Sequence, residues 1–311
     1  MNLKDEKRLA VLLLAQLEVC EGDNIRIITK GDCKSLVKTL HELSKIMGFF
    51  IKNNSNNINK YVCIIGEVSP SLDSPAKRYS ISEDTCKKIY EESLRKKLVT
   101  VFYPTKELAR IAGISLADLR DLFYSSLRLE NIGEANRLEK SLSDGNVVRI
   151  TGEKTNVTFS IQRRRASIEQ INIPQGEVFV APRKYTVEGR IYFNVPIKEL
   201  GIFDVCLYFS KGKVKDYSCS GKPKILEKII TKDSGSCYVG EFGVGFNKNV
   251  IPIGLSVIDE KSYGTIHLAL GQSYGNESGI NNSTMHVDFV KTKPNVFVDG
   301  KRILQGGTFV I

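Results

Sequence analysis

The chain has 311 residues, 41% of them hydrophobic and 26% charged, with a formal net charge of +10; this is enough chain for two domains, or one large one, around a substantial core. Its Lys and Arg are scattered, Arg163-Arg164-Arg165 being the densest cluster, so the excess reads as a solvated basic surface and nucleic acid is not an expected partner. Seven cysteines without a CxxC pair argue against a thiolate zinc ribbon and a disulfide framework, and for reduced thiols in a cytoplasmic protein.

The longest largely apolar run, Leu9 to Leu17, is too short to cross a bilayer. Leu9, Leu12, Leu13 and Leu17 recur at helical spacing and predict an amphipathic first helix. A signal peptide fits less well, because the preceding flank is acidic as well as basic and no small-residue cleavage pattern follows; no membrane partner is expected. Asn24–Thr29 alternates like a strand, Lys34–Met47 carries a helical stripe, Phe49–Ile51 resumes an extended run after Gly48, and Tyr61–Ile65 suits a buried strand. A helix over Asp84–Lys97, a strand over Val99–Phe102 and helices over Lys106–Ala112 and Leu116–Leu127 follow. Asn53–Asn59 reads as a surface loop. This alternation predicts a layered α/β domain with a largely parallel sheet over residues 1–142.

Near residue 143 the pattern changes. Asn146–Thr151, Asn156–Ile161, Val178–Val180, Arg190–Val195, Phe203–Phe209 and Lys213–Ser218 read as strands, many separated by glycine-containing turns, with Lys222–Ile230 the one clear helix. The fold class is therefore α/β plus α+β, with a strand-rich domain over residues 143–311 that carries the chemistry.

Only three histidines occur, and two of them, His267 and His286, lie close together, the second in an HVD triplet. On a strand His286 and Asp288 leave the same face while Val287 packs on the other. One imidazole nitrogen and one carboxylate oxygen then converge, a donor pair that divalent transition metals accept. Taken alone, such a pair is more often a hydrogen-bonded strand face than a metal site. The third histidine, His41 in HELSK, lacks the second histidine of a zincin helix and is given no metal role. Glu177 and Glu241 sit in apolar, glycine-bounded sequence, where a carboxylate is costly to bury without a partner or a metal; a strand end in water is the alternative. The set Gly240, Gly243 and Gly245 has the wrong spacing for a dinucleotide fingerprint and no helix following it.

Taken in order, NIPQGEVFVAP, VGEFGVGFN, HLALGQSY, NNSTMHVDF and NVFVDGKRILQGGTF resemble the thermophilic-type metalloaminopeptidases, the aminopeptidase T and aminopeptidase S group of peptidase family M29. GDNIRIIT and YPTKELARIAGISLADL nearer the start extend the resemblance. It implies a metal-dependent aminopeptidase acting on peptides, with two divalent cations (zinc, cobalt or manganese) held by Glu177, Glu241, His267, His286 and Asp288. It further implies Tyr274 as the active-site tyrosine, Glu177 or Glu241 as the base, and a homodimer. Two other readings stay open: a mononuclear non-haem iron ring-cleaving dioxygenase of related fold using His267, His286 and Asp288, and a non-catalytic basic binding protein. The chain departs from the family pattern in its shorter length, in the compressed interval of 19 positions between His267 and His286, in Val180 where threonine is usual, and in Lys154-Thr155-Asn156 where a glycine-threonine-aspartate-like segment is usual. These departures bear on the substrate pocket and leave the proposed ligands intact.

Overall fold

The computed structural model describes residues 3–53, 57–67, 97–274 and 281–311; the helix expected from Asp84 lies outside them but for Lys97. Its first part is a sheet with helices. The elements are α1 (Leu3–Gln16), β1 (Asn24–Lys30), α2 (Lys34–Met47), β2 (Phe50–Ile51), β3 (Lys60–Ile65) and β4 (Leu98–Phe102). The strands run parallel in the order β2-β1-β3-β4. A short strand from later in the chain, β8 (Asn172–Ile173), adds in parallel beside β4. Leu9, Leu13 and Leu17 of the α1 region, Leu36 and Leu40 of α2, and Val62, Ile64, Val99 and Val101 of the strands form one buried cluster, as the helical and alternating patterns require. Two more helices follow, each opened by a hydroxyl cap: Thr105 Oγ1 accepts from the Leu108 N–H before α3 (Lys106–Ala112), and Ser115 Oγ from the Asp118 N–H before α4 (Leu116–Ser126).

A helix not anticipated from the sequence, α5 (Ile132–Asp144), comes next. It buries Ala135, Leu138 and Leu142 at i, i+3 and i+7 against the core formed by the strands that follow. Its sequence, IGEANRLEKSLSD, is mostly polar, with few apolar residues to mark the buried face.

The remaining strands build two antiparallel sheets. One has eight strands, drawn from β5 (Val147–Gly152), β6 (Thr155–Ser160), β10 (Glu188–Phe193), β11 (Ile202–Ser210), β12 (Lys213–Gly221), β16 (Asn295–Val298), β17 (Lys301–Gln305) and β18 (Thr308–Phe309), in the order β12-β11-β10-β6-β5-β16-β17-β18. The other has five, drawn from β7 (Ser167–Ile168), β9 (Glu177–Val180), β13 (Val239–Gly245), β14 (Ile266–Gly271) and β15 (His286–Lys291), in the order β15-β14-β13-β9-β7. Helix α6 (Pro223–Ile230) packs on β11 and β12. The inner faces of the two sheets share one core, tied by the ring pairs Phe159–Phe242 and Phe193–Phe289, whose centroids lie 5.2 and 5.4 Å apart. Each such side chain contributes about 1.5–3 kcal/mol on burial.

Arg163–Arg165, the densest basic cluster, occupy the turn between β6 and β7, with Arg163 at φ 56°. The ladder of β6 ends before them, at Ser160. No helix among the described residues is long and apolar enough to cross a membrane.

Candidate metal centre

Alternation along the five-stranded sheet divides its side chains by chemistry. Val178 and Val180 of β9, Phe242 and Val244 of β13, Ile266, Leu268 and Leu270 of β14, and Val287 and Phe289 of β15 all enter the core shared with the eight-stranded sheet. The intervening positions therefore face the other way. They include Glu177, Glu241, His267, His286 and Asp288, so all five residues singled out from the sequence share one face.

Register brings them to one point. Glu241 pairs with Ala269, and Ala269 with Asp288. His267 sits one step along β14 opposite Gly243, and Glu177 on β9 is opposite Gly245. Small residues at Gly243, Gly245 and Ala269 leave the space that the larger polar side chains fill. A Cβ at Gly243 would lie 2.1 Å from His267 Cε1, and one at Gly245 would lie 2.1 Å from the Ser262 carbonyl and 2.7 Å from that of Glu260. The imidazole and the loop after α7 (Ser256–Asp259) thus rest directly on the sheet.

That loop adds two residues that the sequence did not reveal, Glu260 and Lys261. Lys261 is fully buried. Its ammonium donates to Glu177 Oε1 and lies 2.8 Å from Glu260 Oε1. A third glutamate, Glu169, is buried nearby and accepts the Asn172 N–H at 2.9 Å. Asp259 holds the loop in place, its carboxylate accepting the Ile253 and Gly254 N–H groups at 2.7 and 2.8 Å. Nothing in Asp259-Glu260-Lys261 distinguishes it from a solvated turn by composition.

His267 Nε2 lies 3.3 Å from Glu177 Oε2 and 3.3 Å from Glu241 Oε1. His286 Nδ1 is 2.7 Å from the Gln272 carbonyl oxygen. A carbonyl only accepts, so Nδ1 carries the proton and Nε2 is the atom turned to Asp288 Oδ1, 3.4 Å away. Tyr274 packs beside His286 with ring centroids 5.0 Å apart.

The charges follow from burial and pairing. Burial pushes the Glu177 carboxyl up to about 7, against the opposing pull of Lys261. Burial likewise raises Glu260 and Glu169 to about 7, again against Lys261. Burial disfavours charge on His267, yet Glu177 and the bond to Glu241 bring it up to about 9. The same competition takes His286 to about 9, with Asp288 as its main partner. Burial opposes ionisation of Asp288, but His286 overrides it and holds the carboxyl well below the usual range.

The residues present fit a divalent cation. Glu177 Oε2, His267 Nδ1 and Asp288 Oδ1 are buried atoms with no hydrogen-bond partner, a cost of several kcal/mol for an ionised carboxylate unless a cation compensates it. Three overlapping groups each place one nitrogen or oxygen donor per residue within 4.8 Å of one another: Glu177, Glu241 and His267; Glu241, His286 and Asp288; and Glu260, His267 and Asp288. Mixed imidazole and carboxylate sets of this kind suit zinc, cobalt or manganese.

Comparison with known proteins agrees with the geometry. Aminopeptidase 2 of Geobacillus stearothermophilus is 30% identical over 152 residues, 42% of this chain and 36% of that protein. Aminopeptidase T of Thermus aquaticus is 30% identical over 158 residues, 45% of this chain and 38% of that protein. The matched stretch thus spans little more than a third of these relatives' own length. The solved structure of wild-type AmpT from Thermus thermophilus superposes with a TM-score of 0.69 over 99% of both chains at 15% identity, which shows a shared fold. The family described as thermophilic metalloprotease (M29) matches residues 34–309, nearly the whole sequence, and the chain belongs to that family.

Proposed function

We propose that the protein is a metal-dependent aminopeptidase that removes N-terminal residues from peptides, with Glu177, Glu241, His267, His286 and Asp288 as ligands of two divalent cations. The observation that carries this reading is the pair of donor groups sharing Glu241, one completed by Glu177 and His267, the other by His286 and Asp288. The names of the relatives, each an aminopeptidase, support it independently. Bound divalent cations supply Lewis acidity toward the scissile carbonyl and lower the pKa of a coordinated water from 15.7 to about 7.

The chain's own groups then have separable tasks. Glu241 is common to both donor groups and would help to hold both cations. Glu177 or Glu241 would accept and return the proton of the attacking water. The Gln272 carbonyl, accepting from Nδ1–H, holds the His286 imidazole with Nε2 turned toward Asp288. Tyr274, beside His286, offers its phenol as a donor to the oxyanion of the tetrahedral intermediate. A free α-amine of the substrate would find carboxylates on this face, which accounts for a preference for unblocked N-termini.

The presence of Glu177 and Glu241 beside His267 weighs against a mononuclear iron dioxygenase site, which needs only two histidines and one carboxylate. A homodimer and a cytoplasmic setting are part of the same proposal, by likeness to the family, and sedimentation reads the first of these.

The decisive experiment is a panel of free and N-acetylated peptides incubated with the protein after loading with zinc, cobalt or manganese. Stepwise release of the first residue from free peptides only is the expected result. Cleavage of blocked peptides, or oxygen uptake with a dihydroxypyridine in place of peptide cleavage, would overturn the reading.

A further inference from the structure

The buried ammonium of Lys261 has no part in the chemistry above, and its placement is specific. It donates to Glu177 Oε1, while Glu177 Oε2 is turned to His267 and has no hydrogen-bond partner. It also lies 2.8 Å from Glu260 Oε1. Glu169, Glu177, Glu241, Glu260 and Asp288 make five buried carboxylates around this point. Two divalent cations match four of those charges when the imidazoles are neutral, and Lys261 matches the fifth. The ammonium is anchored by its own backbone as well: the Lys261 carbonyl accepts the Asn247 N–H at 2.9 Å, and the loop is seated on Gly245.

A carboxylate held at one oxygen by an ammonium can present only the other to a metal. The same ammonium repels a cation arriving at the second oxygen, and it does so in a buried setting where screening is weak. The group at Glu241, His286 and Asp288 includes neither carboxylate that Lys261 contacts directly, and the lysine's charge is the least of the influences on Asp288.

Building on the metal-centre reading, we propose that Lys261 is a positioning residue for the metals: it limits Glu177 to one-oxygen ligation and makes the seat at Glu177, Glu241 and His267 the weaker of the two. Metals then load in order, first at Glu241, His286 and Asp288, and second beside Lys261. The lysine acts through Glu177 and touches neither substrate nor reacting atoms.

Calorimetry and visible absorption during addition of Co²⁺ to the metal-stripped full chain test this directly. The wild type takes up two ions in steps separated by about tenfold or more. Lys261→Met strengthens the weaker step by about tenfold or more, leaves the tighter one within about threefold, and lowers the visible absorptivity as Glu177 gains a second oxygen contact. Lys261→Arg keeps the wild-type order. The double variant Lys261→Met/Glu169→Gln removes one buried charge of each sign outside the donor groups and is the second background for the same measurement should the single variant not fold. A lysine that merely props up the fold predicts the opposite sign, with both steps weakened. Two equal steps in the wild type, or a second step unchanged or weakened in a folded Lys261→Met background, overturns the proposal and leaves the metal reading standing. Absence of Co²⁺ uptake altogether overturns both.

Discussion

The imidazole of His267 lies over Gly243 so closely that a Cβ there would stand 2.1 Å from Cε1 and 2.3 Å from Nε2. The two residues are register partners on β13 and β14, so neither can move aside without breaking the ladder. Gly243→Ala is predicted to push the ring out of reach of Glu177 and Glu241 and to weaken metal binding by about 10–100-fold, the usual effect of disturbing a ligand's support. The strand itself tolerates alanine, so circular dichroism should be close to that of the wild type. Retention of full metal affinity in the variant would show that His267 is not held by this contact.

A second prediction concerns Tyr274. It is buried beside His286, the ring centroids 5.0 Å apart. If its phenol donates to the developing oxyanion, Tyr274→Phe lowers kcat by about 10²–10³-fold with metal content and KM close to wild type. Metal analysis of the same preparation separates this from a ligand role. An equal loss of bound metal would move Tyr274 from oxyanion donor to ligand.

How far the site was legible depends on which rule places each residue. His286 and Asp288 were readable because a strand's period of two puts both on one face, and Val287 between them went to the core as expected. Glu177 and Glu241 stood out as carboxylates embedded in apolar runs. Their convergence with His267 depends on strand register across β9, β13 and β14, which no local pattern encodes, and there the family resemblance supplied the link. Glu260 and Lys261 escaped notice because they belong to a loop folded onto the sheet through Gly245; three consecutive charged residues look solvated until tertiary structure buries them. The helix Ile132–Asp144 was missed for the related reason that only a few apolar residues mark its buried face. The parallel sheet of the first part, by contrast, followed from long helical stripes alternating with short apolar strands, the strongest local signals in the chain.

Metal removal is predicted to act on stability as well as activity. The buried carboxylates around Lys261 gain their compensation only in part from the protein. Ligand that binds only the folded state stabilises it by about 2.7 kcal/mol at a hundred times its Kd. Exhaustive chelation should therefore abolish peptide hydrolysis and lower Tm together, and re-addition of zinc, cobalt or manganese should raise Tm with the same concentration dependence as its binding. Loss of activity without any change in Tm under saturating metal would argue that the ion is held by substrate rather than by these residues.

The last prediction concerns Asp233, which ties the approach to β15 to the turn after α6. Its Oδ1 accepts the Gly235 and Ser236 N–H groups at 2.9 and 3.0 Å. Its Oδ2 accepts the Thr284 N–H and hydroxyl, both at 2.8 Å, and the Ser283 hydroxyl at 3.0 Å. Partial burial disfavours the charge, but these donors, led by Thr284, hold the carboxyl below its ordinary value of 3.8. A carboxyl lowered in the folded state contributes stability that is present above its unfolded pKa and is lost as pH falls through the folded one. Asp233→Asn should thus cost about 1.5–3 kcal/mol at neutral pH, and the gap from wild type should begin to close as pH falls below the unfolded carboxyl's value of about 3.9 and close fully only below the lower folded one. Urea denaturation of both proteins from pH 3 to 7 measures that gap directly. Because Thr284 lies two residues before His286, the variant should also loosen metal binding in the neutral range; a gap that stays constant down to pH 3 would mean that the charge on Asp233 contributes nothing to holding this segment.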